Sequence, residues 1–104
     1  MCNLIAMMIM TQERGDSILC GDKCHILNYE RGNLSAMGGI MPRVLPNDPI
    51  NGNLDIDKIE ALLPNFDDQH ISQLRGLTIE SSHQGCNGAV ARTKYTKELK
   101  TICR

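Results

Sequence analysis

The sequence predicts an α/β fold in which parallel strands are joined by crossover helices. Two observations carry this expectation. Short runs of branched apolar residues are bounded by Gly, Asp, Asn and Pro, and helical patterns fill the intervals between them. The resulting order is helix, strand, helix, strand, helix, strand, helix, which in one sheet implies parallel pairing through right-handed crossovers. At 104 residues the chain suffices for one small unit, and folding at that size buries roughly two-thirds of the surface the unfolded chain exposes. No internal repeat, low-complexity tract or linker divides it.

Residues 1–10 read as a helix that is apolar almost all round, the pattern of a helix placed between a sheet and another layer. It opens at Met1 with no cap and no polar lead-in, so a longer parent chain is expected to supply its start. Gly15-Asp16 reads as a turn, residues 17–20 as a short buried strand, and Gly21-Asp22 as the loop at that strand's carboxyl end. A short helix is expected from His25 to Met37 despite Gly32, ended by Gly38-Gly39. The second strand runs over residues 40–45, and Pro42, which has no N–H for a ladder, moves it towards a sheet edge. The segment from Pro46 to Asn53 is dense in turn formers. Asp55 then caps a helix with Ile56, Ile59, Leu62 and Leu63 on one side, and Pro64 stops it. A polar connector over residues 65–73 leads to a third strand at residues 77–80, and residues 81–88 form a loop. The closing helix covers residues 93–103, with Tyr95, Leu99, Ile102 and Cys103 as its apolar face.

Composition excludes several classes of function. Net charge is −1 and the basic residues are scattered between Arg14 and Arg104, so no surface is expected for nucleic acid or for an acidic membrane. The apolar stretch from Leu4 to Met10 is too short to span a bilayer, has no Lys or Arg before it, and is followed by Gln12-Glu13-Arg14-Gly15-Asp16. Five cysteines at irregular spacing read as reduced thiols and a cytoplasmic protein. With Trp 0 and Phe 1, the core must be built from Leu, Ile, Val, Ala and Met.

In such sheets ligands collect at the carboxyl ends of the strands, and the predicted ends point at His25 and His83 after two different strands. Three stretches carry the chemistry: Met1-Cys2-Asn3-Leu4-Ile5-Ala6, Gly21-Asp22-Lys23-Cys24-His25-Ile26-Leu27-Asn28-Tyr29-Glu30, and Glu80-Ser81-Ser82-His83-Gln84-Gly85-Cys86-Asn87-Gly88, with Gly52-Asn53-Leu54-Asp55 between the last two. Together, and in this order, they resemble the threonine aldolases and related β-eliminating lyases, and the likeness covers essentially the whole chain. The resemblance implies that residues 1–104 are a partial large domain of the aspartate-aminotransferase-like fold, internal to a pyridoxal-phosphate-dependent, homo-oligomeric lyase. It also implies the reaction, cleavage of a small β-hydroxy amino acid such as threonine to glycine and acetaldehyde. By the same resemblance His25 lies flat on the cofactor ring, His83 is the catalytic residue that handles the proton of the β-hydroxyl, and Tyr29 matches an aromatic position near the substrate. Around His83 the chain departs from the family, with Ser81-Ser82 where Asn-Thr is usual and Gln84 in place of Asn. The family's phosphate-binding loop, its aspartate against the pyridine nitrogen and its Schiff-base lysine have no counterpart in these residues. The isolated chain is therefore expected to be incomplete for catalysis, with one face of its first helix uncovered.

Other readings of the same residues stay open. His25 suits a loop-end histidine bonded to backbone, and Tyr29 suits ordinary helix packing. Cys20, Cys24, His25, His83 and Cys86 could be taken as zinc ligands, although Cys20 falls in a buried strand and the two halves lack zinc-ribbon spacing, so no metal is expected. A non-catalytic α/β binding or regulatory module would keep the same scaffold. His70 and the five lysines, Lys23, Lys58, Lys94, Lys97 and Lys100, read as structural or solvent-facing.

Overall fold

The structure, a computed structural model, describes residues 1–63 and 68–103. Its elements are α1 (Cys2–Met10), β1 (Ser17–Gly21), α2 (His25–Asn28), α3 (Asn33–Ala36), β2 (Met41–Leu45), α4 (Ile56–Ala61), β3 (Leu74–Leu77) and α5 (Thr93–Ile102), with a 3-10 turn at Gln84–Cys86 before α5. The three strands form one parallel sheet in the order β2-β1-β3. The predicted architecture of parallel strands with intervening helices is the one observed.

β1 is the centre of the sheet because its sequence can be buried on both faces. All five residues of Ser17-Ile18-Leu19-Cys20-Gly21 are buried, the mark of a strand covered from both sides. Alternation then sorts the side chains. Ile18 and Cys20 pack with Met7 of α1, Cys24, Ile26, Leu34 and Ile40, whereas Leu19 packs on the other face with Leu54, Ile59 of α4, and Tyr95 and Leu99 of α5. Wholly burying a side chain such as Ile18 or Leu19 contributes roughly 1.5–3 kcal/mol. β2 lies in unbroken register from Ser17 opposite Met41 to Gly21 opposite Leu45, and it is an edge strand, as Pro42 requires.

Several boundaries differ from the sequence reading, each for a physical reason. The third strand lies at residues 74–77 rather than 77–80. Asp16 is buried beside β1, and Arg75 reaches it with Nε 3.2 Å from Oδ2, while Gly76 lets β3 approach the Ile18 and Met10 side chains, which a Cβ there would meet at 3.1–3.2 Å. Ladder bonds from Ser17 N–H to Gln73 O (2.7 Å) and from Thr78 N–H to Leu19 O (2.9 Å) fix that register. The helix expected over residues 25–37 divides into α2 and α3, because Arg31 (φ 54°) and Gly32 (φ 67°) both adopt left-handed backbone. Of α1 only Leu4 and Met7 are buried; Ile5, Met8, Ile9 and Met10 are exposed, as anticipated for the chain by itself. Cys103 and Leu63, assigned to apolar helix faces, are exposed as well. Pro64, expected to stop α4, and residues 65–67 of the polar connector lie outside the described residues, as does Arg104.

Two polar arrangements tie the layers together. Asp55 caps α4, its Oδ1 accepting from Asp57 N–H (3.0 Å) and Lys58 N–H (3.4 Å). Tyr95, reaching from α5 across the core, both accepts from Leu54 N–H (2.9 Å) and donates to Leu54 O (3.1 Å). Burial raises its phenol above the ordinary range, so the hydroxyl keeps the proton it donates. Replacing Tyr95 by Phe should leave a buried N–H and C=O without partners and destabilise the fold by about 1–3 kcal/mol, read as a lower denaturant midpoint at unchanged slope.

Burial alone would raise the Asp16 carboxyl, but the Glu13 and Gln12 N–H groups and the Arg75 guanidinium outweigh it and hold the carboxyl below the usual range. A carboxyl lowered in the folded state contributes stability above its unfolded pKa, about 4, and loses it as pH falls through the folded value. Asp16→Asn should therefore destabilise the chain most near neutral pH, the difference from wild type shrinking below about pH 4; denaturant titrations at a series of pH values check this.

Candidate functional site

The chain path makes the carboxyl end of β1 the natural place for a site. From β1 the chain runs through α2 and α3 to β2 on one side, and from β2 it returns through α4 to β3 on the other side. The first connection thus moves to one side of β1 and the next returns past it to the other, and such a switch point opens a crevice beyond the strand ends. His25 follows β1 and His83 follows β3, on either side of it.

Loop contacts build this end of the sheet. Asp22 N–H donates to Leu45 O (2.8 Å), Asp22 Oδ1 accepts from Asn47 N–H (2.8 Å), and Asn47 Oδ1 accepts from Lys23 N–H (3.0 Å). The buried Asn47 also donates through Nδ2 to Gly52 O at 2.8 Å, so one amide joins the loops after β1 and β2. On the far side, a Cβ on Gly85 would lie 2.6 Å from Lys23 O. The 3-10 turn after His83 therefore rests directly on the β1–α2 loop.

The two histidines occupy different environments. His25 opens α2, with its side chain 43% exposed and Nδ1 3.1 Å from Glu30 Oε1. Glu30 is itself held by Asn3 of α1, whose Nδ2 donates to the same oxygen at 2.7 Å. That bond, more than His25, keeps the Glu30 carboxyl below its ordinary range against the opposing effect of burial. Tyr29 ends α2 with its ring 5.4 Å from the His25 ring and tilted by 37°; it is exposed, so it is not packed into the core. His83 is 2% exposed. Its N–H donates to Ala89 O (2.7 Å), and its carbonyl accepts from Gly88 N–H (2.9 Å). The Gly52 turn covers the ring, since a Cβ on Gly52 would come within 3.2 Å of His83 Cδ2.

Glu80, just beyond β3, spans the gap between them. Its Oε1 accepts from the His25 backbone N–H, and its Oε2 lies 3.4 Å from His83 Nδ1. The second approach is within ion-pair range but is not aligned as a hydrogen bond, so the buried Nδ1 has no hydrogen-bond partner among the described residues. A chain of polar contacts thus runs from Asn3 through Glu30, His25 and Glu80 to His83. The sequence reading included Asn3, Glu30 and Glu80 in its motifs without giving them roles; their acidic or amide character beside motif histidines was the available signal.

The cysteines form no comparable site. Cys20, Cys24 and Cys86 are buried, and among the described residues no group of three His, Cys, Asp or Glu side chains is placed to hold a metal ion. The neighbouring Cys24 thiol, with burial, pushes the Cys20 thiol up, while the Cys20 thiol holds Cys24 below the usual thiol range against the effect of burial. An open cavity of about 360 Å³ lies beside the β2 loop, lined by Asn47, Asp48, Asn53 and Lys58 among others, and neither histidine borders it.

Comparison with known proteins decides the family. The model of the family described as "Beta-eliminating lyase" matches residues 1–104. The chain belongs to the β-eliminating lyase family. Among curated proteins, it is 30% identical over 105 residues to the low-specificity L-threonine aldolase 1 of Arabidopsis thaliana, a match covering 100% of this chain and 29% of that enzyme. It is 31% identical over 102 residues to the low specificity L-threonine aldolase of Escherichia coli strain K12, covering 98% of this chain and 29% of that enzyme. The chain thus spans under a third of the length of these relatives. Its three-stranded parallel α/β architecture accords with a partial aminotransferase-like large domain of the β-eliminating lyases.

The Gly52 turn has φ +73° as well as close contact with the His83 ring. Gly52→Ala should therefore destabilise this β-eliminating lyase segment by about 1–2 kcal/mol from the left-handed backbone alone and should shift the His83 ring resonances, checked by denaturant titration and NMR.

Proposed function

We propose that the chain carries part of the cofactor and substrate site of a threonine-aldolase-like lyase, one that cleaves a β-hydroxy amino acid such as threonine to glycine and acetaldehyde with pyridoxal phosphate. The observation that carries this reading is the convergence of His25 and His83 at the carboxyl ends of adjacent parallel strands, joined through Glu80. The threonine aldolases of Arabidopsis thaliana and Escherichia coli support the substrate class.

The residues fit the cofactor. The His25 imidazole is planar, part-exposed and tethered at one edge by Glu30, so a face of the ring is available for an aromatic ring to lie against. When bound, pyridoxal phosphate supplies the electron sink for the carbanion left by bond cleavage. His25 fixes the plane of that ring, and Tyr29 stands at the open side of His25 for the substrate. His83 takes the proton of the β-hydroxyl; an imidazole suits general-base work near neutral pH. Because the ring is covered at the Gly52 turn, substrate reaches His83 only as that turn gives way. The parent enzyme is a cytoplasmic homo-oligomer in this reading, and the five free thiols accord with a reducing compartment.

Equilibrium dialysis of the 104-residue chain against pyridoxal phosphate tests the reading. Binding is expected to be reversible and to weaken about fivefold in His25→Ala, corresponding to loss of ~1 kcal/mol of ring stacking. Uptake no greater than that of the urea-unfolded chain would sink the cofactor assignment. Threonine cleavage by the chain alone is expected to be undetectable, since none of its lysines matches the family's Schiff-base position; cofactor-dependent turnover would refute that.

A further inference from the structure

We propose that Glu80 is a positioning residue that sets the two site histidines relative to one another with the opposite oxygens of a single carboxylate. This deepens the lyase reading above and rests on it for the roles of His25 and His83. The geometry itself belongs to this chain. Oε1 accepts from the His25 backbone N–H, and Oε2 faces His83 Nδ1 at 3.4 Å.

Three features separate this arrangement from an ordinary surface acid. The Glu80 side chain is only 20% exposed and the His83 side chain 2%, so the contact is partly withdrawn from solvent and weakly screened. His83 Nδ1 is buried with no hydrogen-bond partner among the described residues, and Glu80 Oε2 is the acceptor that faces it. A buried N–H or ring nitrogen without a partner is costly, and a proton on Nδ1 is the state that the adjacent Glu80 anion favours electrostatically. The carboxylate therefore selects the tautomer with hydrogen on Nδ1, leaving Nε2 as the basic nitrogen. When that nitrogen takes up a proton, the ring's positive charge lies directly beside the Glu80 anion.

The second oxygen makes the arrangement a coupling. His25 begins α2 after β1, whereas His83 begins the turn after β3, and 58 positions of sequence separate them. One carboxylate held by both loops fixes the stacking histidine and the proton-handling histidine in a common frame. Glu30 cannot do this, since it touches His25 and Asn3. Glu80 also places its charge near the Cys24 thiol, where it opposes the lowering due to Cys20.

The test uses the full chain labelled with ¹⁵N-histidine and, separately, uniformly with ¹⁵N. There are three histidines, so His70, which is exposed, serves as an internal reference. Two signatures are read at alkaline pH: the tautomer of His83 from its ring nitrogen shifts, and the hydrogen exchange of the His25 amide. Glu80→Met keeps the chain length of the side chain and removes both acceptors. It is expected to return His83 to the Nε2–H tautomer and to speed exchange of the His25 amide about tenfold. Glu80→Gln has one carbonyl oxygen and is expected to restore one signature but not both; should Glu80→Met fail to fold, that result decides by itself. Glu30→Gln is expected to leave the His83 tautomer unchanged. A His83 tautomer indifferent to Glu80→Met, with only the amide affected, would overturn the proposal and leave Glu80 a cap for α2. Retention of both signatures in Glu80→Gln would overturn it equally. Failure of pyridoxal phosphate to bind while both signatures behave as expected would instead remove the lyase reading and leave the pairing intact.

Discussion

Everything described depends on one strand that water cannot reach from either side. β1 has neighbours in the sheet on both edges and helices on both faces, so its backbone can be satisfied only by ladder bonds and its side chains only by apolar partners. Ser17 to Gly21 meet that demand with small and branched residues, and the strand ends at a glycine pressed against the Asn47 side chain. Because the strand is anchored along its whole length, the loop that leaves it is also placed. His25 inherits its position from β1 through only three intervening residues, Asp22, Lys23 and Cys24.

His83 is placed by a different route. β3 pairs with β1 for only four residues, with an irregular register at its start, and the loop beyond it is held by its own turn bonds and by contact of Gly85 with Lys23. Two loops anchored to different strands would by themselves hold the two histidines in a variable relation. The shared carboxylate of Glu80 offsets that variability, and Asn3 and Glu30 extend the same line of polar contacts back to α1. The residues of the three sequence motifs thus meet in space even though nearly the whole chain separates the first from the last.

Much of this was legible in the sequence where a local rule was also the tertiary rule. The run Ser17-Ile18-Leu19-Cys20 marked a short buried strand. Pro42 marked β2 as an edge, Asp55 marked the start of α4, and the positions of His25 and His83 after two strands followed from element order. Legibility failed where a distant partner decided. The third strand reads as starting only at Leu77 because Arg75 and Gly76 interrupt the apolar pattern before it, yet Arg75 is neutralised by Asp16 and Gly76 is small enough for the contact with Ile18 and Met10. The break between α2 and α3 falls at Arg31 and Gly32, and Arg31 carries no intrinsic signal for left-handed backbone. Glu80 was visible as a letter in a motif, but its two partners lie 55 and 3 positions away, and no periodicity connects them.

The methionines of α1 give the first helix a chemical asymmetry. Met7 is sealed against Ile18 and Cys20 and Met10 lays its thioether against Gly76 of β3, while Met8 is exposed. Peroxide converts accessible thioethers to sulfoxides and reaches buried ones only when the structure opens. On this helix the outward Met8 would thus be modified first, which makes the uncovered apolar face more polar without disturbing the sheet. Sulfoxide at Met7 would have the opposite effect, forcing a dipole into the layer that covers β1. The same oxidant therefore acts on one nine-residue helix as a solubilising agent on one side and as a denaturant on the other, with the order of the two set by burial alone.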